Sequence, residues 1–68
     1  RKPFYVQIVE GDHAFAVQSG SLRGQIVAFL RDAPDGEAHT TDLQVRFGTR
    51  VMGAVQKLHI IGWVIYRA

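Results

Sequence analysis

Apolar residues recur along this chain with two different periods, and the changes of period mark its elements. Phe4 to Val9 is a run of aromatic and β-branched residues, and Ala14 to Val17 is a second short apolar run. Glu10-Gly11-Asp12-His13 lies between them. Two such runs around a glycine-containing turn predict a β-hairpin over residues 1–17. Gln18-Ser19-Gly20-Ser21 then breaks the pattern, and Ser19 or Ser21 can cap a helix by accepting a bond from its first free amides. Leu22, Ile26, Phe29, Leu30 and Ala33 repeat at three and four residues, which puts them on one face of a helix from about Leu22 to Asp32. Pro34 ends that helix and Asp35-Gly36 turns the chain.

The second half keeps the helical period for longer. Glu37 to Thr40 is a short connector that can pair over one or two residues. Thr40 or Thr41 caps a second helix, with Asp42 near its positive end and Arg46 near its negative end. Leu43 and Phe47 face inward one turn apart, and Gly48 permits a sharp reversal. Thr49 can cap a third helix, in which Val51, Val55 and Leu58 form the buried stripe. Arg50, Gly53, Gln56 and Lys57 take the opposite face. The three helices span residues 22–59, and residues 60–67 are β-prone, the strand proper running from Trp63 to Arg67. The predicted core is Val6, Ile8, Phe15, Ile26, Phe29, Leu30, Leu43, Phe47, Val51, Val55, Leu58, Ile61, Trp63 and Ile65. This pattern predicts an α+β fold: three helices with a small antiparallel β-sheet, in one domain of 68 residues.

Composition narrows the function. A chain this short buries only about 60% of its unfolded surface, so its core is small and a deep catalytic cleft is hard to accommodate. No apolar run approaches the roughly 20 residues of a membrane span. Cysteine is absent, which excludes a disulfide framework and a thiolate metal site and favours an intracellular setting, cytoplasmic or with the nucleoid or nucleus. The first residue is Arg1 and no signal-peptide pattern follows, so the chain reads as a domain of a longer protein. Net charge is +2, but its distribution is uneven. Glu10, Asp12, Asp32, Asp35, Glu37 and Asp42 precede Leu43, and no acid follows it, whereas Arg46, Arg50, Lys57 and Arg67 all do. The C-terminal third is the basic face.

The run from Thr40 to Arg67, TTDLQVRFGTRVMGAVQKLHIIGWVIYR, is a capped helix, a Phe-Gly-Thr turn, a second helix and a Gly-Trp step into a β-rich segment. In this order it resembles a winged helix-turn-helix domain of bacterial and phage regulators, over about Leu22 to Arg67. The resemblance implies a DNA-binding domain that places its third helix in the major groove of double-stranded DNA. One departure stands out: a wing takes two strands after the third helix, and one is present. Either the N-terminal hairpin supplies the missing pairing and the last strand joins a three-stranded sheet, or the remainder belongs to a longer chain.

On that docking, Thr49, Arg50 and Gln56 would reach base edges, and Gly53 would leave the helix surface bare for close approach. Arg50 offers a planar fork to guanine or phosphate, and Gln56 can bond adenine. Thr40, Thr41, Arg46, Lys57 and Arg67 would hold phosphates. The plainer reading is a set of caps and a solvated polar helix face. His13, His39 and His59 lack metal-ligand spacing, and His59 suits the carbonyls at a helix end. The string SGSLRG lacks the spacing of a nucleophile elbow or phosphate loop, so turn and cap explain it. No catalytic constellation and no cofactor site is predicted. Phe4, Tyr5, Phe15, Trp63 and Tyr66 could form a stacking platform for single-stranded nucleic acid, although most of them are needed in the core. Trp63 is placed against the first helix. The alternative function is a protein-interaction scaffold within a larger assembly, or a homodimer, working through an apolar hairpin edge.

Overall fold

The computed structural model describes residues 3–9, 17–18 and 20–67. Strand β1 (Tyr5–Ile8) leads to helix α1 (Leu22–Asp32) and a 3-10 turn (Pro34–Gly36). Then come β2 (Glu37–His39), α2 (Thr40–Phe47), α3 (Val51–Ile60) and β3 (Val64–Arg67). The three strands form one antiparallel sheet in the order β2-β1-β3. The fold is α+β, three helices on one face of a small sheet.

The N-terminal strand takes the middle place in this sheet. The connector expected to pair over one or two residues pairs over three, Tyr5 opposite His39 through Gln7 opposite Glu37. On the other side Tyr5 faces Arg67 and Ile8 faces Val64. Both edges of β1 are thus taken by β2 and β3, and Val17 lies in no strand. The expected hairpin turn at Glu10–His13, most of its second arm, Phe15 of the expected core and Ser19 lie outside the described residues.

Each helix end has a local cause. Ser21 caps α1: its hydroxyl accepts from the Gly24 amide at 3.1 Å and donates to the Gln18 carbonyl at 2.6 Å. Pro34 forces Ala33 out of the helix, and Asp35 (φ 60°) and Gly36 (φ 67°) reverse the chain into β2. A Cβ on Gly36 would sit 2.9 Å from Ile8 Cγ2, so this turn is packed against β1. Gly48 (φ 88°) ends α2. At the end of α3 the Trp63 amide donates to the Leu58 carbonyl (2.9 Å) and the Gly62 amide to His59 (3.2 Å). With Gly62 at φ 87°, this is a Schellman cap.

Two caps differ from expectation. Thr40 does not cap α2; it is the first helical residue and only 4% exposed. Its amide donates to the Phe4 carbonyl at 3.0 Å, and its hydroxyl accepts the Phe4 amide at 3.4 Å. The ladder with β1 has drawn Thr40 inward, so the cap passes to His39, whose Nδ1 accepts from the Thr41 amide at 3.2 Å. Likewise Thr49 does not cap α3: Arg50 stands at that position in αR geometry without a side-chain cap, and the Val51 amide donates to Gly48 at 3.1 Å. His39→Ala is expected to destabilise the fold by about 0.5–2 kcal/mol and His39→Asn to recover most of the loss, as thermal denaturation would show.

The core sits between the sheet and the helices. Val6 and Val64 meet Ile26, Val27 and Leu30 of α1, Leu43 of α2, and Val51, Val55 and Leu58 of α3. Phe29 and Phe47 meet edge to face at 5.7 Å, joining α1 to α2. Trp63 is buried, with the Arg31 guanidinium 5.6 Å from its ring, and so packs at the α1 end as expected. Ile65 is not core; it is 46% exposed. Strand faces alternate, and β3 begins one residue later than expected, so Val64 points inward and Ile65 outward. Val27 and Ala38 are further buried positions outside the expected set.

Candidate nucleic-acid interface

The third helix exposes one broad face. At 3.6 residues per turn, Gly53 stands opposite the buried stripe of Val51, Val55 and Leu58. Arg50 and Lys57 flank it on one side, and Gln56 and His59 on the other. Arg50, Gly53, Gln56, Lys57 and His59 are all exposed, as is Thr49 in the turn before the helix. The helix holds Thr49, Arg50, Gly53, Gln56 and Lys57 together because its apolar stripe is fixed against α1, α2 and β3.

The other expected contacts do not join this face. Thr41 is exposed in the first turn of α2, with its amide already given to His39. Thr40 is withdrawn into the fold, as described above. Arg46 lies over the rings of Phe29 (5.2 Å) and Phe47 (5.8 Å), beside a crevice between α1 and α2 that Asp32 also lines. Arg67 is on the outer face of the sheet, away from α3, because it pairs with Tyr5 while Val6 and Val64 point inward. There its Nη2 meets both carboxylate oxygens of Glu37 at 2.7 Å, and its guanidinium lies 5.8 Å from the Tyr5 ring centre. The hydrogen bond to Glu37, followed by that carboxylate's charge, pushes the Arg67 pKa up from its ordinary value. Arg67 therefore already has an anionic partner.

Of the rings expected as a stacking platform, Phe4 and Tyr66 come together, while Tyr5 is on the outer face of the sheet and Trp63 is buried; the ring not read from the sequence is His59. His59 does not turn to the helix-end carbonyls. It stacks on Tyr66 at 4.1 Å with 19° between planes, and Phe4 meets Tyr66 at 4.5 Å. These rings, with Gln56 and Met52, line a groove of about 480 Å³ between α3 and the sheet. The signal lay in strand parity: Phe4 and Tyr66 share the inner face with Val6. Among the described residues no three histidines, cysteines or acids gather as metal ligands, and no helix is long and apolar enough to cross a membrane.

No protein family, curated protein or solved structure matches this chain. What the α3 face can do follows from its own chemistry. It offers a planar cationic fork at Arg50, a paired donor and acceptor at Gln56 and a point charge at Lys57. Gly53 is the unusual member, since glycine inside a helix is unfavourable by about 1 kcal/mol relative to alanine. Nothing lies within 4 Å of where its Cβ would stand. Gly53→Ala is therefore expected to stabilise the domain by up to about 1 kcal/mol in urea denaturation. Among the described residues no internal contact requires the glycine.

Proposed function

We propose that this chain is a DNA-binding domain of the winged helix-turn-helix type, part of a regulator of transcription or another DNA transaction. Its third helix enters the major groove. The observation that carries this reading is the exposed α3 face, with Arg50, Gly53, Gln56 and Lys57 opposite a wholly buried stripe and no acid anywhere from Leu43 to Arg67. Thr49, Arg50 and Gln56 are the base contacts, and Gly53 allows close approach. Lys57 and Thr41 hold phosphates, with Arg46 on the neighbouring helix a further phosphate contact. Thr40 and Arg67 are left out, one buried and the other held by Glu37.

Fluorescence anisotropy with mixed-sequence duplexes over a range of salt tests the reading. Binding is expected to fall steeply as salt rises, because each phosphate contact releases counterions. Lys57→Ala should weaken all sequences alike and reduce the salt slope by about one unit. Absence of any binding at low salt would end this proposal. A second reading, an interaction scaffold within an assembly or a homodimer, draws on two exposed apolar side chains, Val45 of α2 at 83% and Ile60 of α3 at 69%. Association through an apolar interface would change little with salt.

A further inference from the structure

We propose that the groove between α3 and the sheet receives an unpaired nucleobase. This rests on the reading of the α3 face as a nucleic-acid surface, and it gives that same face, Arg50, Gly53, Gln56 and Lys57 included, a single-stranded ligand as an alternative to the duplex. The groove encloses about 480 Å³, within the roughly 300–1,000 Å³ of small-ligand sites. Phe4 and Tyr66 come from the inner face of the sheet, and His59 from the last turn of α3. Tyr66 stacks on His59 and meets Phe4 at a tilt of 51°, and the three rings open to solvent instead of being closed over by the core. Aromatic surface of this kind holds bases of any sequence by stacking. Gln56 adds an adjacent amide donor and acceptor, the pattern that a base edge can pair with.

The other side of the helix completes the site. Arg50 and Lys57 lie on the flank of α3 away from the groove; Gly53 leaves the way across the helix bare, and the exposed Ile60 borders it beside Lys57. A nucleotide presents phosphate, sugar and base in that order. Its phosphate meets Arg50 and Lys57, its sugar crosses Gly53, and its base enters the ring-lined groove. Among the described residues none lining the groove is acidic, and the sequence holds no acid from Leu43 to Arg67, so these surroundings favour an anionic strand over an acid-poor partner.

The test is an NMR titration of the whole domain with a thymidine hexanucleotide, and with an abasic hexamer carrying the same phosphates. Ring protons of His59, Tyr66 and Phe4 are expected to shift with the base-bearing strand only, while the Arg50 and Lys57 amides shift with both. Affinity for the base-bearing strand should be greater by about 5- to 100-fold. Gly53→Leu, at an exposed position where no neighbour lies within 4 Å, should abolish that preference without unfolding the domain. If the amides shift and the rings do not, or both strands bind equally, the groove is no base site although nucleic-acid binding stands. If neither rings nor amides move, the base site falls, and duplex anisotropy at low salt separately decides whether the α3 face binds nucleic acid at all. If an acidic aromatic peptide moves the rings and the oligonucleotide does not, the groove belongs to a protein partner and the proposal is overturned.

Discussion

Leu58→Ala is expected to destabilise the domain by about 2–5 kcal/mol. Leu58 is fully buried on α3, in one cluster with Val51 and Val55, and the groups around it come from α1, α2 and the sheet. Such a shell closes only partly around a deleted side chain, so a cavity term adds to the lost transfer energy. A domain of 68 residues has roughly 3–10 kcal/mol of stability in all. The substitution therefore removes a large share of the total, and the urea midpoint should fall sharply. Ile60→Ala is the control. Ile60 is just two positions on but 69% exposed, and its loss should change stability by no more than about 0.5 kcal/mol. Equal effects from the two substitutions would mean that α3 is rotated about its axis, and the exposed face described above would be lost with it.

Arg50→Ala is expected to weaken binding to a specific duplex by about 1–3 kcal/mol, or roughly 5- to 150-fold. The substitution isolates contact from folding, because Arg50 is exposed and its side chain takes no part in the cap of α3. Arg50→Lys should recover the phosphate attraction but not the base discrimination, since the ammonium lacks the planar fork. Arg67→Ala should leave binding nearly unchanged, because that guanidinium already lies against Glu37 on the far face of the sheet. Anisotropy titrations of the three variants at one salt concentration would measure this ranking. Full affinity in Arg50→Ala would remove the residue from the interface.

The elements were legible in the sequence wherever a local cause set them. The bounds of α1 follow from Ser21, the three-and-four spacing and Pro34, and the α2–α3 reversal follows from Gly48. The stripe and exposed face of α3 were likewise readable, because a helix fixes both from one phase. Misreadings arose where a distant part of the chain decided. Pairing with Phe4 pulls Thr40 inside and moves the cap to His39, a residue of low capping preference. Trp63 is buried ahead of the strand, so taking it as the strand's first inward residue shifts the alternation and misplaces Ile65. Phe4 near the start of the chain and Tyr66 near its end were candidates for one platform by residue type, but the strand register decides that these two meet while Tyr5 does not join them.

The central position of β1 also bears on how the chain comes together during synthesis. Tyr5 pairs with His39 on one side and Arg67 on the other, so its two partners are made long after it. As the chain emerges from a ribosome, β1 waits with both edges unpaired until β2 appears, and with one edge unpaired until β3 follows. Helices α2 and α3 need only a short link to meet, whereas closing the sheet brings together nearly the whole length of the chain. Assembly is thus local at the helical pair and late at the sheet, and the ring-lined groove comes into existence only with that final pairing.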